Sequence, residues 1–189
     1  PLAPGAGCYV ITEVASSSED AEAQMAAFLE AAFEAGIAQD AVVAQSVQQT
    51  RAIWAVRDMG GELIQMFNPV GNFDISVPTS RIGQFVADCT AALDRRWPGV
   101  AQIYFGHVCD GNVHLIAGGF GPEDLIEVER TVYETASALD GSISAEHGIG
   151  LHKREFLHLS RSADEIAAMR RLKAAFDPLG ILNPGKVLA

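Results

Sequence analysis

Gly106-His107-Val108-Cys109-Asp110-Gly111-Asn112-Val113-His114 lies between two apolar runs, Ala101–Phe105 and Val113–Ala117, both of strand-like composition. Asp-Gly is the strongest short hairpin signal, because a type I′ turn needs two residues at φ > 0. Read as a two-residue loop, Asp110-Gly111 pairs Cys109 with Asn112, Val108 with Val113 and His107 with His114. Opposed residues of an antiparallel pair share a face, with Cβ atoms roughly 5 Å apart. Two imidazoles so placed can share one divalent metal. A third ligand must come from elsewhere, and Glu146, in Ser144-Ala-Glu-His-Gly-Ile-Gly150, is the candidate. Of five His residues, three fall in these two glycine-flanked motifs, a concentration that outweighs turn-capping and core-packing roles.

Outward from the hairpin, Asn72–Val77 alternates as a strand with Phe73, Ile75 and Val77 on one face, and stops at Pro78. Thr79 or Ser80 then caps a helix to about Arg95. Further upstream, Cys8–Ala15 and Ala41–Ala44 read as strands around an Ala-rich helix, Glu19–Ala35. Ser16-Ser17-Ser18 offers its N-cap, Met25, Phe28, Leu29 and Phe33 form its buried stripe, and Gly36 ends it. Ser46–Phe67 has a helical period weakened at Gly60-Gly61. Downstream, Glu123–Leu139, Leu151–Leu159 and Asp164–Phe176 read as helices. The order implies an α+β fold, with helices over one face of a mainly antiparallel sheet.

A length of 189 residues, 49% of them hydrophobic, suits one globular domain or one with a small appendage. The net charge of −11 argues against nucleic acid and against an anionic membrane surface. No apolar run approaches the ~20 residues of a membrane span. Cys8, Cys89 and Cys109 read as free thiols of a reducing compartment, so a cytoplasmic location is expected. The opening Pro-Leu-Ala-Pro-Gly-Ala-Gly, without Met or a signal-peptide pattern, reads as a cut inside a longer protein. A homodimer is compatible with these features, and the sequence names no electron acceptor.

His107, His114 and Glu146 make a two-nitrogen, one-carboxylate set that suits zinc, manganese or iron with an open position for substrate. His147 is then free to act as general base, the usual work of an imidazole near neutral pH. Arg57 offers a fork for a carboxylate, and an exposed helix arginine reads equally well. Asp110 and Asn112 are turn residues or supports of the ligands. There is no G-x-G-x-x-G and no Walker lysine loop, so nothing here cradles a pyrophosphate by itself. The same residues would also serve a metallohydrolase using His147 as base, or a metal-dependent ligand-binding module without redox chemistry.

Gly106–His114 resembles the Gly-His-x-Gly-Asp-Gly-Asn-x-His motif of the flavin-linked D-2-hydroxy acid dehydrogenases. These are the D-lactate, D-2-hydroxyglutarate and glycolate oxidase-type enzymes of the vanillyl-alcohol oxidase superfamily. Ser144–Lys153 is similar to their Ser-Gly-Glu-His-Gly-Ile-Gly-x-x-Lys segment. Phe176–Val187 is similar to their Phe-Asp-Pro-x-x-Ile-Leu-Asn-Pro-Gly-Lys-Val terminus, and Trp54-Ala-Val-Arg57 and Asp74–Pro78 also fit. The resemblance implies the carboxy-terminal substrate domain (residues 1–189) of such an enzyme, with a ferredoxin-like core. FAD would be held mainly by an amino-terminal domain that is absent from this chain. It implies metal ligation by His107, His114 and Glu146, a base at His147 and a substrate-carboxylate grip at Arg57. Asn183 and Asn112 would lie towards the cofactor, and Asn72 towards the substrate. Three departures stand out: Cys109 replaces a Gly, Asn72 stands where 2-hydroxyglutarate-specific members place a Lys, and Ile116 where many have an Asn.

Overall fold

The structure, a computed structural model, describes residues 2, 4–15 and 20–188. The expected Ser16-Ser17-Ser18 cap lies outside the described residues. The chain divides into two units, residues 1–61 and 62–189.

The first unit contains helices α1 (Ala21–Glu34) and α2 (Val47–Arg57). Gly36, at φ 68, takes the left-handed position that ends α1. Ser46 caps α2, its side chain accepting from the Gln49 amide. The two strands expected at Cys8–Ala15 and Ala41–Ala44 do not form, and neither stretch carries a strand or bridge. Their β-branched composition supplied strand propensity, but propensity without a partner makes no strand. The stripe expected on α1 is likewise only half realised: Met25 and Leu29 are half-buried, whereas Phe28 and Phe33 are exposed. A short α3 (Gly60–Ile64) follows α2 after a break, as the glycine pair implied.

The second unit is built on three antiparallel strands, β1 (Val70–Ser76), β2 (Ala101–His107) and β3 (Asn112–Gly118), in the order β1-β3-β2. A 3₁₀ turn at Thr79–Arg81 leads into α4 (Ile82–Arg96), so neither Thr79 nor Ser80 caps the helix by a side-chain bond. After β3 a second 3₁₀ turn, Pro122–Asp124, opens α5 (Leu125–Ser137). Phe85, Cys89 and Leu93 of α4 and Val128, Val132 and Ala136 of α5 pack on Phe73, Ile75, Val113, Leu115 and Ala117. Both helices therefore cover one face of an α+β sheet. The expected helix at Leu151–Leu159 is a 3₁₀ segment, Arg154–Leu159, and the last helix is α6 (Ala163–Phe176).

The strand–helix–strand–strand–helix order is that of a ferredoxin-like core whose fourth strand is cut short. On the free edge of β1, Ser142 forms one antiparallel bridge with Ser76, bonded in both directions at 2.8 and 3.0 Å. Gly141 permits this approach, since a Cβ there would meet the Ser76 carbonyl at 2.5 Å and the Ala136 carbonyl at 2.7 Å. One more bond, Ala145 amide to Asp74 carbonyl at 3.2 Å, continues the edge before the chain leaves it.

The hairpin register differs from the sequence expectation. His107 pairs with Asn112 and Phe105 with His114, so the loop is four residues long, Val108–Gly111. Only Gly111, at φ 75, is left-handed, which excludes a type I′ turn. Asp110 instead accepts the Asn112 amide at 2.9 Å, and the Gly111 carbonyl accepts the Val77 amide at 3.0 Å. The turn is thus tied to β1, a partner that a two-strand reading omits. A Cβ at Gly111 would sit 2.1 Å from the Val77 carbonyl. Gly111→Ala is expected to cost about 1–3 kcal/mol from the left-handed backbone, with the clash adding to it. Chemical denaturation measures this, and an unchanged midpoint would remove the docking role.

Candidate functional site

The sheet face away from α4 and α5 carries three cross-strand rows. They are Asn72–Ile116–Ile103, Asp74–His114–Phe105 and Ser76–Asn112–His107. The register slip of two residues conserves face, so His107 and His114 share it as diagonal neighbours rather than direct partners. Their rings are edge-to-face with centroids 6.1 Å apart. Phe105 lies beside His114 at 5.1 Å between ring centroids.

Residues 144–147, where the curtailed edge segment leaves β1, bring Glu146 and His147 to this face. Glu146 Oε1 lies 3.8 Å from His107 Nδ1, and the His147 ring centroid lies 6.1 Å from that of His114. Two donors each about 2.0–2.2 Å from one ion are at most about 4.4 Å apart, and the His107–Glu146 pair falls within that limit. Asp74, Glu146 and His147 form a second donor set, with one ligand atom of each within 4.8 Å of the others. Among the described residues this is the one group of three so close together, and of the expected ligands His107, His114 and Glu146 it contains only Glu146. The donor chemistry therefore fits a divalent cation.

Asp74, which no sequence motif singles out as a site residue, is the hub of the arrangement. It is fully buried at the centre of β1. Its Oδ2 accepts from the amides of Glu146 at 2.9 Å and His147 at 2.8 Å, and from Ser144 Oγ at 3.4 Å. Lys153, also buried, stands 4.0 Å from that oxygen and donates to the Ile143 and Asp74 carbonyls. Leaving one member of a buried charge pair uncompensated costs about 3–5 kcal/mol. Burial works to raise the Asp74 carboxyl, but the His147 and Glu146 amides and the charges of His147 and Lys153 outweigh it and hold it below the ordinary carboxylate range. Burial lowers Lys153, with Asp74 and Glu129 opposing it. Burial also lowers His114, against the pull of Asp74 and Glu146, which favours the neutral, ligating form of its ring. A sequence signal for Asp74 does exist: it is the one charged residue of β1, placed in the middle of the strand.

Among the described residues, three buried polar atoms have no hydrogen-bond partner: Asp74 Oδ1 and both side-chain atoms of Asn112. Both residues lie on the histidine face. Buried polar groups are nearly always satisfied; Asp74 Oδ1 faces His114 Nδ1 at 3.9 Å, which leaves the Asn112 amide as the group that a bound ligand could complete.

The remaining candidates come from other positions of the chain. Asn72 is exposed on β1 opposite Ile116, and Asn183, at φ 45, sits in the exposed segment after α6. Arg57 ends α2 in the first unit and pairs with Asp58 at 3.6 Å. Cys109 is exposed in the hairpin loop, and Cys89 is buried in the core with its thiol pushed up to about 11 by burial.

With these motifs on one sheet face, the chain belongs to the family of FAD linked oxidases, C-terminal domain, whose model matches residues 1–187. Among curated proteins it is 38% identical over 188 residues to a D-2-hydroxyglutarate dehydrogenase of Stutzerimonas stutzeri, covering 96% of this chain and 40% of that protein. It is also 38% identical over 186 residues to the D-2-hydroxyglutarate dehydrogenase of Xanthomonas citri pv. viticola, covering 95% of the chain and 39% of that protein. The mitochondrial D-2-hydroxyglutarate dehydrogenase of Arabidopsis thaliana is 35% identical over 192 residues, with 34% of its length covered. The chain thus spans about two fifths of the bacterial relatives it matches. No helix among the described residues is long and apolar enough to cross a membrane.

Proposed function

We propose that this chain is the substrate-binding part of an FAD-dependent dehydrogenase that oxidises a D-2-hydroxy acid to the 2-oxo acid. The observation that carries the reading is the convergence of His107, His114 and the Glu146–His147 loop on one sheet face, beside orphaned buried polar atoms of Asp74 and Asn112. His107, His114 and Glu146 would hold a divalent cation, zinc by donor type. The chemistry these groups supply when bound is hydride acceptance by FAD and polarisation of the 2-hydroxyl by the cation. His147 takes the hydroxyl proton, and Arg57 grips the substrate carboxylate. Asn112 and Asn183 serve the cofactor, and Asn72 lines the distal end of the substrate. The free thiols fit a reducing compartment, and we place the protein in the cytoplasm.

The relatives' names make 2-hydroxyglutarate the first substrate to test, but the residues beside His114 argue for a different preference. A distal carboxylate needs a cation or several hydrogen bonds, because an unpaired charge in a pocket is costly. None of the three strands carries a Lys or Arg, and the row next to His114 is Asn72–Ile116–Ile103. A monocarboxylic acid, lactate-like or with a longer apolar chain, suits that row. Anaerobic flavin reduction and kcat/KM for D-lactate, D-2-hydroxybutyrate and D-2-hydroxyglutarate test both levels of the proposal. Bleaching by none of them sinks the activity. A preference for D-2-hydroxyglutarate by about tenfold, or about 1.4 kcal/mol, sinks only the substrate choice.

A further inference from the structure

We infer that Asp74 is the positioning residue of this site. One of its carboxylate oxygens clamps the loop that presents Glu146 and His147. The other fixes the proton of His114 on Nδ1 and leaves Nε2 as the nitrogen open to a ligand. This deepens the proposed function and depends on its metal reading only for what Nε2 then binds.

The clamp is visible in the bonding of four consecutive residues to one position of β1. Asp74 Oδ2 receives the Glu146 and His147 amides at 2.9 and 2.8 Å and Ser144 Oγ at 3.4 Å. The Asp74 carbonyl receives the Ala145 amide at 3.2 Å. The side chains of Glu146 and His147 are each 53% exposed, so packing contributes little to their placement. Their position follows from their main chain, and their main chain is held by Asp74. Lys153 supplies the nearby positive charge at 4.0 Å, while its donation to the Ile143 carbonyl at 3.0 Å ties the start of the same segment.

The second oxygen faces the other motif. Asp74 is the cross-strand partner of His114, and its Oδ1 lies 3.9 Å from His114 Nδ1 without a hydrogen-bond donor. A neutral imidazole has one N–H and one lone pair. A lone pair turned towards a carboxylate is repelled, and an N–H is attracted, so the proton belongs on Nδ1. A carboxylate that orients a ligating histidine in this way is a recurrent support for metal binding. A single buried side chain thereby sets both halves of the donor set, which come from motifs about thirty residues apart in sequence.

The test begins with the unaltered, metal-free chain and requires no variant. Long-range ¹H–¹⁵N correlation spectra should show a pyrrole-type Nδ1 and a pyridine-type Nε2 for His114. An Nε2–H tautomer overturns the inference. Asp74→Asn should then shift that tautomer, speed amide exchange at Glu146 and His147, and weaken Zn²⁺ binding by about 10–100-fold. A folded variant with the wild-type tautomer and wild-type zinc affinity also overturns it, because Asp74 would then be only a structural residue. If Asp74→Asn fails to fold, the tautomer of the unaltered chain decides. Failure of the unaltered chain to take up zinc counts against the metal reading alone, since the tautomer is read without metal.

Discussion

Replacing His147 by Asn in the flavin-loaded protein is expected to slow flavin reduction by about 10²–10⁴-fold, the usual contribution of a general base. Asparagine keeps the size and a polar end, and the main-chain amide of residue 147 still reaches Asp74 Oδ2 as it does at 2.8 Å in the structure. The loop should therefore stay in place, and substrate affinity should change little. Anaerobic stopped-flow mixing separates the two quantities, giving the reduction rate at saturation and the concentration dependence. A variant that reduces flavin at the unaltered rate leaves His147 without a catalytic role. A variant that only loses affinity would assign it to substrate binding instead.

His114→Ala is expected to lower divalent metal affinity by more than the roughly 100-fold upper range seen for lost supporting groups, because a ligand itself is removed. Metal bound per chain after gel filtration should fall to background, measured by elemental analysis against the unaltered protein. His114 is 8% exposed and neutral by preference, so burial has already incurred the cost of desolvating it. Truncation also opens a gap beside Phe105, whose ring stands 5.1 Å away. The melting temperature must therefore be recorded alongside. Equal metal content in both proteins would remove His114 from the ligand set, whatever the stability change.

The polar face of the sheet is legible in the sequence because its chemistry is local. His107 and His114 flank a turn, and Glu146 and His147 adjoin each other in a glycine-framed segment. Asp74 and Lys153 escape such a reading because their work is non-local: each acts on main chain roughly seventy residues or more, or ten residues, away. The turn geometry departs from expectation for a related reason. Asp110-Gly111 has the composition of a two-residue turn, but the Val77 amide claims the Gly111 carbonyl and stabilises a longer loop. Cys8–Ala15 fails as a strand because composition cannot supply a neighbour. The helices expected up to Arg95 and over Glu123–Leu139 do form, as α4 and α5, with Phe85, Cys89, Leu93, Val128 and Val132 packed in the core on the sheet.

The four-residue loop Val108–Gly111 also constrains how this chain can drift over generations. Side chains along a strand alternate with a period of two. If β3 and the four-residue loop both stay in place, deletion or insertion of one residue slides β2 by one position, turning His107 towards the helices or out of the strand and bringing Gly106 to the ligand face. A change of two residues would keep every side chain on its own face and move His107 only along the strand. Length variants that retain this four-residue turn should therefore differ by even numbers, whereas an odd change is tolerated only where the turn itself is rebuilt on the same His107–Asn112 pair.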